Sequence, residues 1–242
     1  MDTVTLLVVT KTFPAADVRE AFLAGERRFG ENYVQEGVDK IEALSDLREQ
    51  VEWHLIGPLQ SNKTRVVAER FDWVHSVDRL KIAQRLAEQR PAGLAPLNVC
   101  LQVNISGEDS KSGLAPAEVA EVARAVAALP GLRLRGLMAI PEPADTLEAQ
   151  RQPHRALAAL LAEVNAALGL DMDTLSMGMS ADMDAAILEG ATMVRVGSAI
   201  FGSRPRPAPT APTASPASPA STEPHTAPPT EPPIPTPPPT VS

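Results

Sequence analysis

Lys11 closes the run Leu6-Leu7-Val8-Val9-Thr10-Lys11-Thr12, in which apolar and β-branched residues lead into a cation. A run of this kind reads as a buried parallel strand. An ammonium at its end is costly to bury unless its charge is paired or used. Burial also lowers a lysine pKa, and a neutral amine at the mouth of a fold is a nucleophile for aldehydes. The alternative is a lysine that snorkels to solvent from the strand end.

Two glycine-serine stretches near the other end of the sequence suggest what such an amine would meet. Ser176-Met177-Gly178-Met179-Ser180 leads into a helical pattern, and Val194-Arg195-Val196-Gly197-Ser198 closes the last apolar run. Free N–H groups at a helix start favour a phosphate. Either stretch alone reads better as an ordinary capped turn. Taken together with Lys11, they point to a phosphorylated aldehyde held as a Schiff base, and pyridoxal 5′-phosphate (PLP) has both groups. Arg195 then faces the ring nitrogen or the phosphate, unless it forms a surface salt bridge. An arginine at the ring nitrogen would keep it unprotonated and weaken the ring as an electron sink. His54, in Glu52-Trp53-His54-Leu55, either points to the mouth of the fold or is a satisfied core histidine; His75 reads as the latter. No His, Cys, Asp and Glu grouping has metal-ligand spacing. There is no G-x-S-x-G elbow and no P-loop.

Positioning these residues requires alternating strands and helices. Strands are expected near Leu6–Thr12, Arg28–Gly30, Val51–Ile56, Trp73–Val77, Leu97–Ile105, Leu132–Ile140, Thr174–Met177 and Thr192–Val196. Helical spacing fills most of the intervals: Ala15–Leu23, Val34–Leu44, Ser61–Phe71, Arg79–Gln89 capped by Asp78, Pro116–Leu129, Leu147–Leu168 broken near Pro153, and Ser180–Glu189. Eight βα units predict an α/β fold, a single-domain (β/α)8 TIM-like barrel. A five-stranded doubly wound sheet would leave the remaining strands unexplained. In a barrel the site lies at the C-terminal strand ends, and phosphate sites after strands seven and eight are common. Those ends carry Lys11, Asn32, His54, His75, Asn104, Met138, Gly178, Ser180 and the stretch from Arg195 to Ser198. No full helix follows the last strand, so the flank between the last and first strands is expected to be thinly covered.

Composition bounds the rest. Residues 1–203 read as the domain, and 204–242 as a disordered tail rich in Pro, Ala, Thr and Ser that holds fifteen of the 24 prolines. The net charge of −8 and the absence of a basic face argue against nucleic-acid binding. No apolar run is long enough for a membrane span. The sequence has no signal-like start and a single cysteine, Cys100, which reads as a small core residue. A cytoplasmic location is expected.

Seven motifs in order give the sequence a family likeness: Val9-Thr10-Lys11-Thr12, Phe29-Gly30-Glu31-Asn32-Tyr33-Val34-Gln35-Glu36, Trp53-His54-Leu55-Ile56-Gly57-Pro58-Leu59-Gln60-Ser61-Asn62-Lys63, Ser110-Lys111-Ser112-Gly113, Arg135-Gly136-Leu137-Met138-Ala139-Ile140-Pro141, Ser176-Met177-Gly178-Met179-Ser180-Ala181-Asp182-Met183 and Val194-Arg195-Val196-Gly197-Ser198-Ala199-Ile200-Phe201-Gly202. Over about residues 4–204 it resembles the pyridoxal phosphate homeostasis proteins, small barrels related to the N-terminal domain of alanine racemase. The resemblance implies that Lys11 forms the Schiff base with PLP. It implies that Ser180, Gly197 and Ser198 hold the phosphate and that Asn32 and Arg195 lie by the cofactor. With His54 and Met177 these make up the expected cofactor-binding set. The family's implied role is intracellular balance of vitamin B6 and amino acids, without clear turnover. Its expected partners are PLP and PLP-dependent apo-enzymes, and the chain is expected to be a monomer. The alternative is a PLP-dependent amino-acid racemase, which needs a base on each face of the cofactor. Tyr33 is the single tyrosine available for that role. Lys111, in the loop after the fifth strand, could accept the aldehyde transiently or be an ordinary solvated lysine. Two departures from the family pattern are the Pro-rich tail and the first strand's start almost at Met1, where relatives place a helix.

Overall fold

Each strand alternates an inward and an outward side chain, and in a closed barrel both directions end in packed surroundings. That is why β1 and most of β5 are apolar runs, whereas β3 and β4 carry histidines that pair with each other in the barrel interior. The computed structural model describes residues 4–108 and 112–202. Its strands are β1 (Thr5–Val9), β2 (Arg28–Glu31), β3 (Glu52–Leu55), β4 (Trp73–Val77), β5 (Leu97–Gln102), β6 (Leu132–Met138), β7 (Thr174–Met179) and β8 (Met193–Val196). All pair in parallel, in chain order, and β8 closes on β1 with Leu7 opposite Arg195. Helices α1 (Ala15–Leu23), α2 (Val34–Ala43), α3 (Thr64–Arg70), α4 (Leu80–Gln89), α5 (Val119–Ala127), α6 (Leu147–Leu168), α7 (Met183–Leu188) and α8 (Ser198–Phe201) each follow one strand. The fold is the expected (β/α)8 barrel.

Most of the core lies between barrel and helices. Outward residues such as Val8, Phe29, Trp53, Leu55, Val74, Leu101, Leu137, Leu175 and Val194 are buried there against helix residues including Val18, Ile41, Val67, Ile82, Val126 and Leu157. Burying each such large side chain contributes roughly 1.5–3 kcal/mol. The barrel interior is smaller. Leu7, Ile56 and Met193 form one interior group, and Trp73, Cys100 and Met138 another. His54, His75, Ser176 and Arg195 lie buried among them.

Several elements differ from the sequence reading. The helix over 147–168 runs unbroken through Pro153, with Thr146 capping it by accepting from the Ala149 N–H at 3.3 Å. Packing of His154, Leu157, Leu161 and Val164 against the barrel outweighs one missing backbone donor. Ser61–Lys63 is a 3₁₀ turn ahead of α3. Asp78 pairs with the Arg79 guanidinium and does not cap α4. α7 begins at Met183, not Ser180, because Asp182 turns inward: its carboxylate accepts from the Met179 N–H at 2.8 Å and bonds His154 Nε2 at 2.9 Å. Between β8 and β1 the helical cover is the single turn α8, whose Phe201 ring packs 4.6 Å from Phe13, and the outward Leu6 is only partly buried. The expected tail and Lys111 lie outside the described residues.

Candidate cofactor site at the barrel mouth

Beyond Val9 the chain leaves the sheet, and Lys11 enters a cavity of about 270 Å³. Its walls come from the C-terminal ends of β1, β2, β3, β6, β7 and β8: Val9, Asn32, Ile56, Ile140, Met179, Ser180, Arg195, Gly197 and Ser198. Asn32, Ile56 and Ile140 also line an adjoining cavity of about 310 Å³ that extends to Gly57, Gln102 and Asn104. Six of the expected residues therefore share one space: Lys11, Asn32, Ser180, Arg195, Gly197 and Ser198.

His54 and Met177 do not line it. His54 lies inside the barrel, one layer beneath Ile56, with no solvent exposure. Its Nδ1 is 2.9 Å from His75 Nε2, and its ring stacks on Trp73 at 5.2 Å. The next inward residue, Ile56, just past the end of β3, takes the wall position at the mouth. Met177 follows the inward Ser176, so strand alternation turns it outward into the barrel–helix core. Met179, two residues on, takes the wall position.

Arg195 is not a surface residue. It is 4% exposed, donates to Ser176 Oγ at 2.8 Å and to the Ala139 carbonyl at 2.9 Å, and has no carboxylate within ion-pair distance among the described residues. Burial lowers its pKa to about 10, opposed by the more distant Asp182 and Cys100. A buried guanidinium with neutral partners retains donor capacity for an acceptor or anion in the cavity. In the same cavity, Ser180 Oγ, in the turn after β7, and Ser198 Oγ, at the start of α8, lie 3.4 Å apart. Two close backbone approaches border this mouth. A Cβ on Gly197 would come within 2.8 Å of the Val9 carbonyl oxygen, and one on Gly57 within 2.1 Å of the Asn32 oxygen.

Residues 2–205 match the alanine racemase N-terminal domain family. A pyridoxal phosphate homeostasis protein of Pseudomonas aeruginosa is 63% identical over 209 residues, covering 86% of this chain and 88% of its own. One from Escherichia coli K12 is 58% identical over 202 residues, 83% of this chain and 86% of its own. The chain belongs to the pyridoxal phosphate homeostasis protein family. A structure of PipY from Synechococcus elongatus with PLP bound superposes with a TM-score of 0.76 at 39% identity, covering 82% of this chain and 92% of that one.

In this family member the segment bearing Lys11 is gripped from behind by residues the sequence reading did not single out. Lys40, on α2 and 5% exposed, donates to the Thr10 carbonyl at 2.6 Å, to Glu31 Oε1 at 2.7 Å and to Glu36 Oε1 at 2.7 Å. Thr10 Oγ1 donates to Glu31 Oε1 at 2.5 Å, and the Thr12 N–H to Glu36 Oε1 at 2.5 Å. Burial pushes the Glu31 carboxyl up, opposed by the Lys40 charge and hydrogen bond. The i, i+4 spacing of Glu36 and Lys40 was the available signal, but such pairs are usually solvated. The position of Lys40 three residues after Gly37, where a bare glycine lets the helix approach the barrel, was a further hint.

Proposed function

We propose that this protein holds PLP at the barrel mouth, with the Lys11 amine bonded to the aldehyde carbon as a Schiff base. The bond forms by condensation with loss of one water, and it reverses by hydrolysis. The observation that carries this reading is the shared cavity: an amine-bearing Lys11, a buried Arg195 without a carboxylate partner among the described residues, and the Ser180–Ser198 hydroxyl pair. Ser180, Ser198 and the Gly197 N–H receive the phosphate, Arg195 faces the ring, and Asn32 lies at its side. The structure of PipY with PLP bound supports PLP as the ligand. Bound in this way, PLP would supply an electrophilic carbon and an electron-withdrawing ring.

The biological role follows from what surrounds the cavity. Lys11 and Arg195 are the titratable side chains among its described walls, so proton transfer on both faces of a substrate has no second base here. Tyr33 is 60% exposed at the start of α2 and is not among the walls. The reading is a carrier and regulator of intracellular PLP that exchanges it with PLP-dependent apo-enzymes, acting as a monomer in the cytoplasm. No helix among the described residues is long and apolar enough to cross a membrane.

The test is PLP titration followed by borohydride reduction and peptide mass spectrometry. A visible absorbance band and a pyridoxyl adduct on Lys11, both lost in Lys11→Ala, are expected. A protein that stays colourless at saturating PLP, or an adduct on another lysine, overturns the reading. Racemisation of alanine by the wild type well above that of Lys11→Ala would replace the carrier role with the enzyme.

A further inference from the structure

We infer that Glu36, Lys40 and Glu31 form a positioning device that holds Lys11 in the cavity through the backbone on either side of it. The inference rests on the proposed role of Lys11. Three observations converge on it. Lys40 binds the carbonyl of Thr10, the residue before Lys11, and Glu36 binds the N–H of Thr12, the residue after it. Thr12 is the one non-glycine residue with positive φ among the described residues, at 69°. A β-branched side chain is disfavoured there, and such a conformation persists only where its surroundings impose it.

The third observation is the cost of the device. Glu31 is fully buried and Lys40 nearly so, and Glu31 Oε2 has no hydrogen-bond partner. Buried ion pairs contribute little net stability compared with apolar packing of the same volume. A purely structural contact between β2 and α2 would not need one. What the ions supply is directional: three donor–acceptor bonds aimed at one turn. With α1 fixed downstream, rotation about the Thr12 φ would swing the Lys11–Thr12 peptide. That motion breaks the bond to Glu36 and carries Lys11 away from Arg195. The triad prevents it.

The experiment uses the full chain and two readouts, one independent of PLP. In the PLP-free protein, reductive methylation of Lys11 is timed by peptide mass spectrometry against the exposed Lys63 and Lys81. In parallel, PLP affinity is measured by absorbance. Glu36→Ala, which leaves the Lys40–Glu31 pair intact, is expected to speed Lys11 labelling at least threefold and weaken PLP binding about tenfold. Glu36→Gln keeps an acceptor for the Thr12 N–H and should restore both. Adding Thr12→Gly to Glu36→Ala should recover most of the affinity, because glycine adopts the turn without restraint. Lys40→Met should act in the same direction as Glu36→Ala. Thermal melts establish that each variant is folded. Unchanged Lys11 labelling and PLP affinity in a folded Glu36→Ala protein overturn the inference, as does a Thr12→Gly change that restores nothing. Failure of PLP to attach to wild-type Lys11 would instead sink the proposed function, and the labelling rates would still decide the positioning.

Discussion

His54 Nδ1 and His75 Nε2 sit 2.9 Å apart in the barrel interior, so two imidazoles share one hydrogen bond where no water reaches them. The pair continues upward. His75 Nδ1 is 2.7 Å from Ser176 Oγ, which accepts from Arg195. A guanidinium only donates, so Ser176 Oγ accepts from Arg195 and keeps a proton and a second lone pair for His75. Between His54 Nδ1 and His75 Nε2 one nitrogen must accept, so the two rings cannot both be protonated while the bond stands. Burial favours the neutral form of both.

Neutrality makes stability depend on pH. Burial and the neighbouring Arg195 lower the His75 pKa to about 3. Burial first, then His75 and Arg28, hold His54 well below its ordinary value. The unfolded chain protonates both rings near pH 6.5, so their contribution is fully present above that pH. It is lost as pH falls from about 6.5 toward 3, by up to tenfold in the folded-to-unfolded ratio per pH unit for each ring. Urea unfolding midpoints measured from pH 7.5 to 5 should fall more steeply for the wild type than for His75→Leu. Parallel pH profiles would contradict the assignment.

Arg195 separates binding from stability. Replacing it with Met removes a buried charge that has no carboxylate partner among the described residues. The expected result is a melting temperature unchanged or raised, together with at least tenfold weaker PLP affinity. A large fall in melting temperature would show that its bonds to Ser176 and Ala139 carry the fold.

The glycines beside the cavity differ in what a methyl group would meet. Gly57→Ala drives Cβ to within 2.1 Å of the Asn32 oxygen and should cost about 2–3 kcal/mol. Gly197→Ala, at 2.8 Å from the Val9 oxygen, should cost roughly 1–2 kcal/mol and weaken PLP binding. Gly93→Ala meets nothing within 4 Å and serves as the neutral control. Denaturant titration of the three variants gives the order.

Cys100 is fully buried inside the barrel, and burial pushes its thiol up to about 12. Thiolate is the reactive form, so the native protein should react with a thiol reagent at pH 8 only as fast as it opens. The unfolded chain should react within the mixing time. Fast reaction of the native protein would place the thiol outside the core.

Much of the site could be read from the sequence because strand ends are visible in it. Lys11, Asn32, Ser180, Arg195, Gly197 and Ser198 each lie at or just beyond the end of a strand, and a barrel gathers such ends at one mouth. His54 and Met177 were misplaced by depth and by direction. Whether a residue lies at the lip or one layer down depends on where β3 stops. Met177 faces outward because it follows the inward Ser176 on β7, and the wall position falls to Met179 at the strand end. The Glu31–Glu36–Lys40 grip was invisible for another reason. Charged residues on a helix are ordinarily solvated, and only the docking of α2 against β2 buries Lys40 beside Glu31.

The sequence by itself determined the alternation of strands and helices, and its eight βα units favoured a closed barrel over an open doubly wound sheet. It also determined that an amine, a guanidinium and two serines would meet at one end. Only the tertiary structure decided which polar residues face the cavity and which become core, because that choice depends on strand register, layer depth and helix docking. Those are set by contacts between residues far apart in the chain, such as Lys40 on Thr10 and Arg195 on Ser176.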